Sequence, residues 1–231
     1  TGVQTCALPI FTNAVDQSTI DTAIGGEFGL FRVHPSENYN EGFQLDGFAA
    51  VFTRFDERRR MVANDFRAGV PLTYASGPWQ GKLSYEHLSS HLGDEYIQAT
   101  GAVQVPYVRD EVVFGLARYF WDQLRLYGQA GYAFHTSAII GGKRDRFDWG
   151  LEWSRRCPTG WKGQPFAALD MDLRADQDYN ANTTVQIGWQ WSNMGYLSGR
   201  IAFEYYNGRS PFGQFALLNN DWYGVAFLYD W

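Results

Sequence analysis

Trp222 to Trp231 read WYGVAFLYDW, and within them Tyr223, Val225, Phe227, Tyr229 and Trp231 form an unbroken apolar stripe at every second position. Period two is that of a β-strand, whose side chains alternate between the two faces of a sheet. A soluble sheet that ended on so bare an aromatic row would present a sticky edge. A strand in a closed barrel has a hydrogen-bonded neighbour on each side and can turn its apolar face to lipid, because closure satisfies every backbone donor and acceptor. For every other segment the question is whether it alternates, and which face is polar.

Length and charge narrow the classes. A chain of 231 residues suits one large all-β domain. The formal net charge of −6, with no basic run longer than Arg58-Arg59-Arg60, argues against a nucleic-acid partner, since phosphate binding needs a concentrated basic surface. With 17% aromatic residues and 25 glycines the chain is too apolar for disorder. It has no run of 18 or more apolar residues, the span of a transmembrane helix. Such a run is not needed in a barrel, whose strands keep half their residues in a polar lumen.

From Thr22 onward, runs of about ten residues set apolar side chains on one parity and polar ones on the other. Trp79 to Ser90 opposes Trp79, Leu83 and Tyr85 to Gln80, Lys82, Ser84 and Glu86. Asp145 to Ser154 opposes Phe147, Trp149, Leu151 and Trp153 to Arg146, Asp148 and Glu152. The same reading covers Thr22 to Val33 (Ile24, Phe28 and Leu30 on one face), Phe43 to Arg54, Val62 to Tyr74, Val108 to Phe120, Leu124 to Thr136, Pro165 to Arg174, Thr183 to Ser192, Leu197 to Tyr206 and the terminal strand. Pro71 falls on a polar parity and implies a bulge or strand end.

These are eleven strands, whereas single-chain bacterial barrels use even numbers. The fold expected is a transmembrane antiparallel up-and-down β-barrel of about twelve strands with the first truncated. Acids and bases share the polar parity: Asp65 with Arg67, Lys82 with Glu86, Arg109 with Glu111, Arg146 with Asp148 and Glu152, Asp170 and Asp172 with Arg174, Arg200 with Glu204. Such mixed signs fit either structural ion pairs that fill a narrow lumen or a selective narrow channel.

The stripe Tyr223, Val225, Phe227, Tyr229, Trp231 resembles the C-terminal insertion signal of bacterial outer-membrane barrels. That resemblance implies outer-membrane lipid and lipopolysaccharide as surroundings and the barrel-assembly machinery as a partner. At the other end, Thr1 to Ile10 (TGVQTCALPI) looks like a translated sequencing adapter from a metagenomic fragment. It is set apart from the barrel at residues 11–231, and with its Pro9 it is expected not to pair into the sheet. Setting Cys6 aside leaves Cys157 without an intramolecular disulfide partner. Three further stretches resemble a family of bacterial outer-membrane proteins, domain of unknown function 1207. They are Pro71-Leu72-Thr73-Tyr74 with Ser76-Gly77-Pro78, Tyr85 to Glu95, and Glu204 to Pro211 with Gly213-Gln214-Phe215. The resemblance implies a barrel and no chemistry.

One constellation has chemical content. His87 and Ser89, two apart on a strand, point the same way, so an imidazole base and a hydroxyl nucleophile share a face. Parity with Trp79, Leu83 and Tyr85 makes that the lipid face. Eight residues at ~3.3 Å each, tilted ~40°, raise His87 about 20 Å above Trp79, to the opposite interface. Asp110, on the same parity of the next strand, is a possible orienter. A His-x-Ser pair on a barrel wall resembles the outer-membrane phospholipases and lipid A deacylases, which implies lipid ester hydrolysis with calcium as a possible cofactor. Those families usually have Asn after the Ser, and here Ser90 stands there. The hydrolase is the alternative to a loop anchor, in which His87, Ser89, Ser90 and His91 hold the following loop motif His91, Gly93, Asp94, Glu95 by hydrogen bonds in an outer-membrane barrel that is structural or a narrow, plugged channel. A metal site from His87, His91, Asp94 and Glu95 is chemically conceivable. His135 reads as a lumen residue near the rim.

Overall fold

The computed structural model describes residues 4–5, 10–12, 18–35, 41–137, 140, 142–155, 157, 159–192 and 198–230. In chain order the elements are β1 (Gln4–Thr5), β2 (Ile10–Thr12), β3 (Ser18–Val33), β4 (Glu41–Phe55), β5 (Met61–Ser76), β6 (Trp79–Leu92), α1 (Asp94–Thr100), β7 (Tyr107–Phe120), β8 (Leu124–Thr136), β9 (Asp145–Trp153), β10 (Gln164–Arg174), β11 (Ala181–Ser192), β12 (Ser198–Arg209) and β13 (Asn219–Asp230). From β3 to β13 each strand lies beside its sequence neighbours in one sheet. All eleven expected strands are present, and several run farther toward the loop-rich end than alternation alone indicated. The β12–β13 connection thereby shrinks to 210–218, and the β6–β7 connection gains α1.

The alternation is cleanest in β7. There Arg109 and Glu111 face inward and are almost inaccessible, while Val112, Phe114 and Leu116 face outward, Phe114 being 54% exposed against 2% for Arg109. This inverts the soluble pattern, as expected of a sheet with a polar lumen and an apolar wall. Tyr223, Val225, Phe227 and Tyr229 all lie on the outer wall. Trp231 lies outside the described residues.

The sheet closes on itself. Gln4 and Thr5 pair with Asp230 and Tyr229, and Ile10, Phe11 and Thr12 pair with Gly224, Tyr223 and Trp222, so both fragments hold one register on β13. On the other side Thr5 faces Ile24 and Ile10 faces Thr19, again in one register on β3. The start of the chain was expected to stay out of the sheet, and these fragments instead bridge its two edges. The physical reason is that exposed strand edges present rows of unpaired N–H and C=O groups, and ladder pairing is largely indifferent to side-chain identity. Pro9 lies outside the described residues.

Local irregularities alter the parity. A register shift between Gly29 and Phe31 puts Leu30 at a bulge, after which Phe31 and Val33, in place of Arg32, take the outer face. Pro71 brings neither a bulge nor a strand end. It lies within β5, opposite Ser84 of β6 in unbroken register, and only its ladder toward β4 lacks the pairs at Asp46 and Gly47. Proline removes one donor, and the second neighbour keeps the strand in place.

Candidate functional site

On β6 the odd positions from Trp79 to His91 face outward and the even ones inward. The two faces at the top of this strand differ in their polar chemistry. Outside, His87 stands directly opposite Asp110 across the β6–β7 ladder, and His87 Nδ1 lies 2.7 Å from Asp110 Oδ1. A carboxylate oxygen can only accept here, so Nδ1 carries a proton, and the neutral ring in that tautomer presents a lone pair at Nε2, as a general base requires. The Tyr85 hydroxyl donates to the same Asp110 oxygen at 2.8 Å, and its ring packs on Phe134 with centroids 6.0 Å apart. Ser89 is half-buried on the same face, paired to Phe66 and Val108. Its hydroxyl has no hydrogen-bond partner among the described residues. His91, the next outward residue, stacks edge-on against Phe66 at 5.9 Å and meets the Gln104 amide at 3.4 Å.

His135 is outside the lumen, contrary to its expected place. Glu111 pairs with Ala133 but Asp110 pairs with His135, so Phe134 is an extra residue in β8 and the parity flips after it. His135 is thereby exposed beside Asp110. Nothing in the residue types announced the bulge. Tyr85 and Gln104 were also missed as site residues, the first because its ring suited the lipid-facing wall and the second because it is distant in sequence.

Inside, β6 is tied to the loop between β12 and β13. Ser90 Oγ donates to Asp65 Oδ1 at 2.5 Å and accepts from Gln214 N at 3.0 Å. Gly213 N donates to the other Asp65 oxygen at 3.1 Å. Gln214 Nε2 reaches Ser90 O and Val105 O at 2.6 Å each, while Gln214 Oε1 accepts from Val105 N at 2.9 Å. Phe212 is buried beneath the Arg54 guanidinium, 4.6 Å from its ring centroid. A Cβ on Gly213 would come within 2.4 Å of the Tyr107 ring, so only glycine lets the loop sit so deep. Leu88 packs inward on Tyr107, Ile140 and Ala216. This loop is therefore a plug in the mouth of the barrel.

Below the plug the lumen is crossed by ion pairs. Arg146 donates to Glu111 at 2.7 Å, Asp172 at 3.1 Å and Asp148 at 3.2 Å, and Arg109 Nε donates to Glu111 at 2.7 Å. The expected pairs Lys82–Glu86, Arg109–Glu111 and Arg146–Asp148 are present. Others find different partners. Glu152 pairs with Arg125, Asp172 with Arg146 and Arg174 with Asp176, while Asp65 accepts from Ser90 and Gly213 and Glu204 from Gln186. Arg125–Glu152 and Gln186–Glu204 stand opposite one another on adjacent strands and Arg146–Asp172 lies diagonally across a ladder, so register selects these partners. Toward the short-turn end the lumen holds a cavity of about 740 Å³ lined by Arg32, Gln44, Tyr74, Lys82, Tyr127 and Gln129.

The loop motif after His91 packs against the start of β5, where Gly93 N donates to Val62 O at 3.0 Å. A Cβ on Gly93 would meet Met61 O at 2.0 Å, and Glu95 Oε2 accepts from Met61 N at 3.2 Å. Asp94 and Glu95 open α1. His87, His91, Asp94 and Glu95 do not converge as ligands, and no group of three His, Cys, Asp or Glu suited to a metal occurs among the described residues.

A family model described as protein of unknown function (DUF1207) matches residues 9–231. No curated protein matches. The outer membrane phospholipase dimer of Salmonella typhi with bound calcium is similar in fold, with a TM-score of 0.67, 10% identity, and coverage of 97% of this chain and 89% of that one. Outer membrane phospholipase A from Escherichia coli has a TM-score of 0.65 at 11% identity, covering 99% and 89%. The KdgM porin has a TM-score of 0.52 at 9% identity, covering 99% and 98%. At such identities the likeness is one of fold, and chemistry has to be argued from side chains.

Proposed function

The chain belongs to the DUF1207 family of proteins of unknown function, and from the site on its outer wall we propose that it is an outer-membrane lipid ester hydrolase. The observation that carries this reading is the His87–Asp110 hydrogen bond of 2.7 Å on the wall that also bears the hydroxyl of Ser89, which has no hydrogen-bond partner among the described residues. A charged, hydrogen-bonded pair on an apolar face has no structural task there that an aliphatic pair would not do better. The fold likeness to two outer membrane phospholipases supports the reading only as far as the scaffold.

In this mechanism Ser89 Oγ attacks the ester carbonyl of a lipid lying along the wall, and its proton passes to His87 Nε2. Asp110 stabilises the imidazolium through Nδ1–H. Collapse of the tetrahedral adduct breaks the ester C–O bond, the leaving alcohol takes the proton from Nε2, and water then releases the acyl group from Ser89 by the same route reversed. The exposed Leu83, Val112, Phe114 and Leu116 below the site give acyl chains an apolar track. Each of these steps is carried by side chains of the chain itself. The outer-membrane location, the loop-rich end facing outside, insertion by the barrel-assembly machinery, and lipid or lipopolysaccharide as the medium belong to the same proposal. The plug and the ion pairs of the lumen speak against a conducting channel.

The test is ester release from phospholipid and from lipid A by the full chain in detergent. Ser89→Ala should bring release to background while the heat-modifiable gel mobility of a folded barrel is kept. Equal hydrolysis by parent and variant, or none by the parent, would leave a passive closed barrel. That second reading is favoured by the dense anchoring of the β6 end to the plug.

A further inference from the structure

A serine mechanism needs a donor for the oxyanion that forms on the carbonyl, and here the usual source is closed. Ser89 pairs with Phe66 on one side and Val108 on the other. In a ladder so paired the N–H groups near the nucleophile lie in the plane of the sheet and are committed to neighbouring strands. The donor has to be a side chain on the outer face. Tyr85 is occupied, its hydroxyl given to Asp110. His135 lies one strand beyond Asp110, two strands from Ser89. His91 remains, on the same strand and the same face, about 6.6 Å from Ser89 along the backbone, the same spacing that separates Ser89 from His87.

The two imidazoles that flank Ser89 have opposite environments. His87 Nδ1 faces a carboxylate, which fixes the proton on Nδ1 and leaves Nε2 as a base. His91 Nδ1 faces Nε2 of the Gln104 side chain at 3.4 Å. An amide NH₂ can only donate, so His91 Nδ1 accepts and the proton resides on Nε2. The Phe66 ring at 5.9 Å keeps that imidazole on the wall. One neighbour of the hydroxyl thus presents a lone pair and the other an N–H.

We infer that His91 is a further catalytic residue, the donor whose Nε2–H binds the carbonyl oxygen as it becomes an oxyanion, with Gln104 setting its tautomer. This rests on the hydrolase reading. During attack the carbonyl π electrons move to oxygen, which accepts a hydrogen bond from His91 Nε2–H, while the Ser89 proton goes to His87. His91 neither gains nor loses a proton over the cycle.

The experiment compares the parent with Ser89→Ala, His91→Ala, His91→Gln and Gln104→Leu, as full chains folded in detergent, on a chromogenic phospholipid ester. A fluorophosphonate probe is used in parallel. In its reaction the Ser89 Oγ–P bond forms as P–F breaks, fluoride leaves and the proton goes to His87. His91→Ala is expected to lower kcat about 100-fold with KM within about 2-fold, and to slow labelling of Ser89 by a similar factor, the size of effect seen when one oxyanion donor is lost. His91→Gln, which keeps an N–H donor, should recover at least about 10-fold of that loss, and Gln104→Leu should fall between it and the parent. If Ser89→Ala is inactive while His91→Ala stays within about 3-fold of the parent, the inference falls and the hydrolase reading stands. Parent-like hydrolysis by Ser89→Ala overturns both. Where His91→Ala does not fold, His91→Gln and Gln104→Leu decide, and parent-like kcat and labelling in Gln104→Leu count against the assignment.

Discussion

The inner and outer faces of one strand end, Ser84 to Ser90 of β6, carry polar groups of similar type put to opposite use. On the inner face Ser90 and Asp65 bond to each other and accept one backbone N–H each, from Gln214 and Gly213, and Gln214 Nε2 adds a bond to Ser90 O. Each of these latch atoms is matched, which is what burial demands. On the outer face a single carboxylate oxygen serves both Tyr85 and His87, and the neighbouring hydroxyl has no partner among the described residues. Matched redundancy holds a structure together, whereas a sparse, oriented set on an apolar wall leaves bonding capacity for something that arrives.

The contrast breaks most visibly at Asp110. Asp110→Asn keeps the volume and removes the negative charge that stabilises the imidazolium, so ester release should fall on the order of 10³–10⁴-fold, with the gel mobility of the folded barrel intact. A loss of folding equal to the loss of activity would make the outer pair structural, like the inner one.

The inner face should respond in the reverse sense. Ser90→Ala leaves Asp65 and Gln214 N each short of a partner in a buried site, and should cost about 1–3 kcal/mol in reversible urea unfolding. Hydrolysis per folded molecule should stay within about 2-fold of the parent. A variant as stable as the parent would mean the plug does not depend on its latch.

The smallest effect sharpens the contrast by pH. Asp56 lies in the turn between β4 and β5, beyond the strands, where burial opposes its charge. Hydrogen bonds from the Arg60 amide and guanidinium and from Arg58 N outweigh that and hold its carboxyl below the usual range. A carboxyl whose pKa is depressed by folding contributes stability that is present above its unfolded pKa and is lost as pH falls through the folded value. Asp56→Asn should therefore destabilise by under about 1 kcal/mol at neutral pH and by nothing once acid has protonated the parent carboxyl. An undiminished difference in acid would point to lost packing instead of lost charge.

Much of this was legible in the residues. Alternation gave the eleven strands because an apolar wall and a polar lumen constrain both parities of each strand at once. The His87, Ser89 and Asp110 face was legible for the same reason, as no bulge intervenes between Trp79 and His91. His135 was misread because the single extra residue at Phe134 reverses every parity beyond it, and Phe134 is as suited to a regular strand as to a bulge. Ion-pair partners such as Arg146–Asp172 and Arg125–Glu152 depend on register, which local residue types do not carry. The plug was hidden because its bonds join segments far apart in the chain.

That remoteness bears on the order of assembly. Gly213 reaches Asp65 across 148 positions and Gln214 reaches Ser90 across 124, whereas His87 meets Asp110 across 23, between adjacent strands of one hairpin. Closing a long loop requires its distant ends to arrive first, and a neighbouring hairpin has no such wait. The outer-wall pair can form as soon as β6 and β7 zip together, while the mouth stays open until the β12–β13 hairpin swings in. The latch is then a completion signal: a barrel that holds it has already placed its last strand.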